Sequence, residues 1–159
     1  MARWTGTWLQ GPEVSLGELR DPSTWPGSRL GLPKQGPGAV ATFGARALAF
    51  LLDIVLSGLA GGIVTAFLTT PTPAQRQTAA LAVLVLEQVA LVALTGQTLG
   101  MRLGGLKVLR LADPSRLPGV VPSALRGVVL VLSLGLAGLF TRDGRGLHDL
   151  LSGTVVVRS

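Results

Sequence analysis

The stretch from Arg46 to Leu68, RALAFLLDIVLSGLAGGIVTAFL, is an apolar run opened by an arginine and interrupted by one carboxylate, Asp53. At about 1.5 Å per residue it is long enough to cross a hydrocarbon core of about 30 Å as one helix. A lone charge inside such a helix costs about 2.5–3.5 kcal/mol on insertion scales, so Asp53 is expected to be paired or functional. Asp53, Ser57 and Gly61 recur every four residues and share one helical face. Gly58 and Gly62 form a small-xxx-small pair on the neighbouring face. Packing against a second helix is the expected role of these glycines.

The rest of the chain agrees with a bilayer as solvent. Charged residues are 14% of the 159, against about 25% in soluble domains, and the mean hydropathy is +0.54. The length is that of one small domain. The net charge of +6 lies between apolar segments, and only 4% of residues are aromatic. Positive loops beside a membrane account for that charge more simply than nucleic-acid binding, which we do not expect. The chain has no cysteine and a single histidine, His148. Thiolate chemistry and a multi-histidine metal site are thereby excluded within one chain, and no metal or cofactor is expected.

Residues 1–42 read as a polar, Gly/Pro-rich cytoplasmic arm, with prolines at 12, 22, 26, 33 and 37 and all three tryptophans. Trp4, Trp8 and Trp25 suit the headgroup level, and a short helix is weighed for Glu13 to Arg20. Residues 43–159 form the membrane domain, with apolar segments at about 46–68, 79–95 and 124–141. The second segment carries Glu87 and Gln88 at its centre. With the N-terminus cytoplasmic, Asp53 lies about 10 Å and Glu87 about 12 Å from the inner ends of their helices. The two carboxylates therefore share a depth.

The connection holding Arg102, Lys107, Arg110 and Arg116 is strongly basic, so the positive-inside rule places it in the cytoplasm. The third apolar run, up to Phe140, is short and either crosses a thinned bilayer or re-enters. Arg142, Arg145 and Arg158 favour a cytoplasmic C-terminus. LKVLRL alternates apolar and charged residues like a strand, and the final TVVVR is expected to pair with it as a β-ribbon at the cytoplasmic surface. Since an isolated hairpin is marginal, the ribbon is expected to dock on the membrane or on another chain. The fold class is thus an all-α membrane protein: two transmembrane helices, a third short transmembrane or re-entrant helix, and a small ribbon.

Arg46 and Asp53, the block Gly96-Gln97-Thr98-Leu99-Gly100 with Arg102, and the block Arg145-Gly146-Leu147-His148-Asp149 with Gly153 and Thr154 together resemble the RDD family of membrane proteins. The resemblance covers about residues 43 to 158. It implies that Arg46 and Asp53 are the arginine and first aspartate of the family's name, and that Asp149 is the second. Met101 stands where the family often has lysine, and the N-terminal arm resembles that of actinobacterial relatives. The family has mostly unassigned activity, with a few members associated with sodium/proton antiport.

Asp53 with Glu87 is either a cation or proton site or a structural polar pair. Arg46, two turns before Asp53, is expected to reach inward toward it, with Arg102 or Arg126 approaching from the cytoplasmic side. His148 and Asp149 lack a nucleophile, so a helix cap or an ion pair with Arg145 is preferred to catalysis. The resulting expectation is a non-enzymatic, multi-pass protein of the bacterial inner membrane. It would contact anionic lipid headgroups, form a homo-oligomer or larger complex, and act as an interaction or accessory component. The alternative is an oligomeric cation/proton antiporter built on Asp53 and Glu87.

Overall fold

The computed structural model describes residues 25–133 and 145–159. Trp4, Trp8, the weighed helix at Glu13 to Arg20 and the end of the third apolar run lie outside the described residues. Two long antiparallel helices form the frame: α1 spans Phe43–Thr65 and α2 spans Pro73–Thr95. Thr42 caps α1 by accepting the Ala45 N–H. Thr72 and Gln75 form a capping box at α2, with Pro73 in the first turn where its missing N–H is harmless. Each helix has 23 residues, about 34 Å of rise.

The frame is inside-out relative to a soluble protein. The face of α1 packed inside is Ala49, Asp53, Ser57, Gly61 and Thr65, a strict four-residue repeat that is mostly polar. The outer face is apolar and open, with Leu59 63% and Ile63 66% exposed. Such polarity is stable where the surroundings are hydrocarbon and the polar groups find partners between helices. Both helices have the length and hydropathy of membrane spans.

Of the α1 glycines, Gly61 makes the close approach. A Cβ there would lie 2.6 Å from the backbone nitrogen of Ala80 on α2, while Gly58 and Gly62 face open space. The expected packing role therefore belongs to the aspartate face, and the Gly58/Gly62 pair does not contact α2.

After α2 the chain turns through Gly96, whose φ of 73° only glycine adopts easily, into the short helix α3, Leu99–Leu103. Strand β1, Leu106–Arg110, pairs antiparallel with β2, Thr154–Arg158, with Val108 opposite Val156. Between them lie α4, Val120–Leu132, and α5, Leu147–Ser152. The expected ribbon is present, but it docks on its own chain. The end of the arm forms a third edge: Val40 bridges Val157, and the Ala41 N–H donates to Val156 O at 2.9 Å. A small core of Ala41, Ala49, Val92, Met101, Leu106, Val108 and Val156 sits between ribbon and helices.

The start of α1, the end of α2 and the ribbon occupy one end of the molecule. The Gly96 carbonyl accepts the Val108 N–H at 2.7 Å and ties α2 to β1. Leu117 and Pro118, just before α4, lie beside Gly96. From there α4 rises along α2, with Gly127 against Gln88, and α5 is back at the ribbon.

The contrast between neighbouring glycines is testable. Gly61→Val should force α1 and α2 apart and destabilise the domain by about 1–3 kcal/mol. Gly62→Val should stay within about 0.5 kcal/mol. Thermal unfolding in detergent micelles, followed by circular dichroism, checks both.

Candidate functional site

Two buried polar centres stand at different levels. The inner one is built on Asp53, which is 1% exposed. Its Oδ2 accepts from Thr98 Oγ1 at 2.7 Å and from Gln88 Nε2 at 3.1 Å, and its Oδ1 accepts from the Gly100 N–H at 2.6 Å. Glu87, one residue from Gln88, accepts from Ser57 Oγ at 3.1 Å and from the Leu99 N–H at 3.0 Å. The first turn of α3 thus aims two backbone N–H groups, which no helical carbonyl can take, at two carboxylates.

Local sequence explains this turn. Gly96 reverses the chain, and Gln97 donates to Leu106 O at 2.8 Å, fixing the turn to β1. Thr98 caps α3 through the Met101 N–H while donating to Asp53. At Gly100 any Cβ would collide with the Ala49 carbonyl oxygen. Arg102 is exposed and takes no part.

The second centre is built on Asp149, at the ribbon end. Arg46 Nη1 lies 2.9 Å from Asp149 Oδ2, across 103 residues of sequence, and its Nη2 donates to Val156 O at 3.2 Å. Arg126 Nε lies 3.1 Å from Asp149 Oδ1. The Gly146 N–H donates to Oδ2 at 3.3 Å and Thr154 Oγ1 to Oδ1 at 3.4 Å. Arg145 holds the backbone instead, donating to Thr154 O at 3.1 Å and Asp149 O at 3.0 Å. Gly153, at a φ of 64°, ends α5 and turns the chain into β2. One carboxylate therefore joins α1, α4, α5 and the ribbon.

Burial and charge set the ionisation at this junction. Burial pushes the His148 imidazole down from 6.5 to about 4; Arg126 and Arg46 act in the same direction, against the attraction of Asp149. For Asp149, burial acts upward, but Arg126 and Arg46 outweigh it and hold the carboxyl below its usual value of 3.8. Near pH 7 the centre holds a neutral His148 and an ionised Asp149. Among the described residues, no group of three or more His, Asp or Glu side chains is placed to hold a metal.

The chain matches the family model for RDD over residues 40–153. It belongs to the RDD family. No curated protein and no solved structure matches it. The arginine and two aspartates singled out by the sequence resemblance occupy both centres: Asp53 organises the inner one, while Arg46 and Asp149 meet at the ribbon end. The expectation that Arg46 reaches toward Asp53 is corrected, because its guanidinium turns the other way and takes Asp149. The expected ion pair of Asp149 with Arg145 is corrected too, since the ionic partners are Arg46 and Arg126. Asp149 does serve as a cap, through the Gly146 N–H.

Sequence reading placed Asp53 and Glu87 at one depth, and the structure brings them together through Ser57, Gln88, Thr98 and Leu99. Gln88 and Ser57 were not assigned as site residues. Their signals were adjacency to Glu87 and the four-residue spacing from Asp53. Arg126 had a clearer one, as the charge that opens the third apolar run.

Removing the Asp149 carboxylate strands two guanidinium groups, one of them in Arg126, which is 2% exposed. Asp149→Ala should cost about 3–5 kcal/mol, whereas Asp113→Ala, at an exposed pair with Arg116, should cost about 0–1 kcal/mol. Chemical denaturation in micelles distinguishes these values.

Acid should act on the same centre. Between pH 6.5 and about 4 the unfolded chain takes up a proton that folded His148 refuses, so stability falls as pH falls through that window. Below it, Asp149 is the group that must be protonated, and further stability is lost. The melting-temperature difference between wild type and His148→Asn should shift against the wild type as pH falls from 6.5 to about 4.

Proposed function

We propose that this RDD domain is an interaction or accessory component of the bacterial inner membrane, without transport or catalytic activity of its own. The observation that carries this reading is that all six carboxylate oxygens of Asp53, Glu87 and Asp149 accept hydrogen bonds or ion pairs from the chain's own donors. A site that takes up and releases a hydrated metal cation needs several oxygens free to replace its water ligands. Here the donors are backbone N–H groups and side chains fixed by packing. Such an arrangement holds helices in register.

In this reading the ribbon, the arm's end and the C-terminus lie on the cytoplasmic side. That Pro118 and Arg145 both lie at the ribbon end of the helix pair supports the re-entrant alternative for the third segment. The basic residues around the ribbon face anionic lipid headgroups, and the apolar outer faces of α1 and α2 leave room for further chains in an oligomer or larger complex. The second reading, an oligomeric cation/proton antiporter, draws support from one observation. Among the described residues, Asp53 and Glu87 have no cation within 4.0 Å.

The two readings separate in proteoliposomes under an imposed pH gradient. We expect sodium or potassium addition to leave the gradient unchanged, and Asp53→Asn to behave as the wild type. A cation-dependent proton flux that disappears in Asp53→Asn would establish the antiporter instead.

A further inference from the structure

On the side of the helix pair away from α4, the surfaces of α1 and α2 part to leave a groove of about 310 Å³. Its walls include Leu56 and Ala60 from α1 and Val83 and Leu86 from α2, with Ser57 and Glu87 at the floor. Leu86 on the rim is 67% exposed, whereas Glu87 is 8% exposed. The groove is therefore an apolar slot, open sideways to the hydrocarbon, with a carboxylate at its base. The two hydrogen bonds to Glu87 come from neutral groups, Ser57 and the Leu99 N–H. They orient the carboxylate, and among the described residues no cation lies within 4.0 Å of it.

We infer that this groove docks a partner transmembrane helix that places a lysine or arginine side chain against Glu87. The inference rests on the interaction reading given above and names the chemistry of the partner. Charge complementarity selects the occupant, because a carboxylate at this depth is stable beside a cation. A lysine or arginine has the form the slot demands: an aliphatic stem to lie along Leu56 and Leu86, and a charged head for Glu87. A lipid acyl chain would fill the walls and bring no charge.

A second copy of this chain is also a poor fit. Among its described residues, Arg46 and Arg126 are bound to Asp149. Arg76 stands in the first turn of α2, at the opposite end from the ribbon, and Arg102, Lys107 and Arg110 stand at the ribbon. None of these lies in the middle turns of α1 or α2, the faces that a second copy would present to the groove.

The test uses the full chain reconstituted in phosphatidylcholine vesicles with two synthetic helical peptides. Both are Leu/Ala transmembrane sequences, identical except for a central lysine or a central leucine. Energy transfer between labelled peptide and labelled protein reads association. The lysine peptide should bind about tenfold more tightly than the leucine peptide. Glu87→Gln should bring that ratio close to one. Ala60→Trp, which fills the groove while leaving the bonds of Glu87 in place, should abolish lysine-peptide binding. Should Glu87→Gln fail to fold by circular dichroism, the Ala60→Trp result decides.

Equal binding of the two peptides would overturn the proposal, as would a lysine preference that survives Glu87→Gln or Ala60→Trp. So would displacement of the lysine peptide by unlabelled copies of the protein itself. Those outcomes leave the accessory reading standing, since only the flux measurement bears on it.

Discussion

The junction at Asp149 is the contact on which the architecture depends. Two guanidinium groups reach it from α1 and α4, and the carboxylate itself belongs to α5, next to the strand that closes the ribbon. Taking these charges out of water costs several kcal/mol per ion, and the pair repays that cost only in one geometry. What the junction contributes is uniqueness of arrangement. Hydrocarbon around the helices exerts little preference among packings, so directional polar contacts must choose the packing.

The Asp53 centre does the same work higher in the helix pair. A helix pair in lipid can slide and rotate at small cost unless polar groups pin it. Gln88 pins α2 to α1, and the Thr98 to Gly100 turn pins both to the ribbon. The glycines fit this purpose. Gly61 lets the backbones approach, and Gly100 lets a peptide N–H come within hydrogen-bond distance of a carboxylate.

Much of this was legible before the structure. The four-residue repeat of Asp53, Ser57 and Gly61 identified the packed face of α1, and alternation in LKVLRL with the β-branched run TVVVR identified the ribbon. Arg46 was misdirected for a physical reason. Its spacing from Asp53 puts both on one face, but long helical side chains lean toward the helix N-terminus. Arg46 therefore points to the ribbon and away from Asp53. The docking of the ribbon was hidden because residues 38–41, GAVA, follow a Gly/Pro-rich run and carry one β-branched residue. Their strand-like pairing comes from β2, not from local preference. Partners distant in sequence, such as Arg126 and Asp149, leave no periodic trace at all.

The pairing of Ala39 and Ala41 with Val156 and Arg158 has a consequence for biogenesis. The chain is made from its N-terminus, so the edge at Ala39 and Ala41 exists long before β2 does. At about 5–20 residues per second, the 103 residues between Arg46 and Asp149 take roughly 5–20 seconds to synthesise. About halfway through that interval α2 is complete and can associate with α1, yet the base of α1 still carries an unanswered positive charge and an unpaired backbone edge. Asp149 on α5 then answers the charge, and β2 pairs the edge.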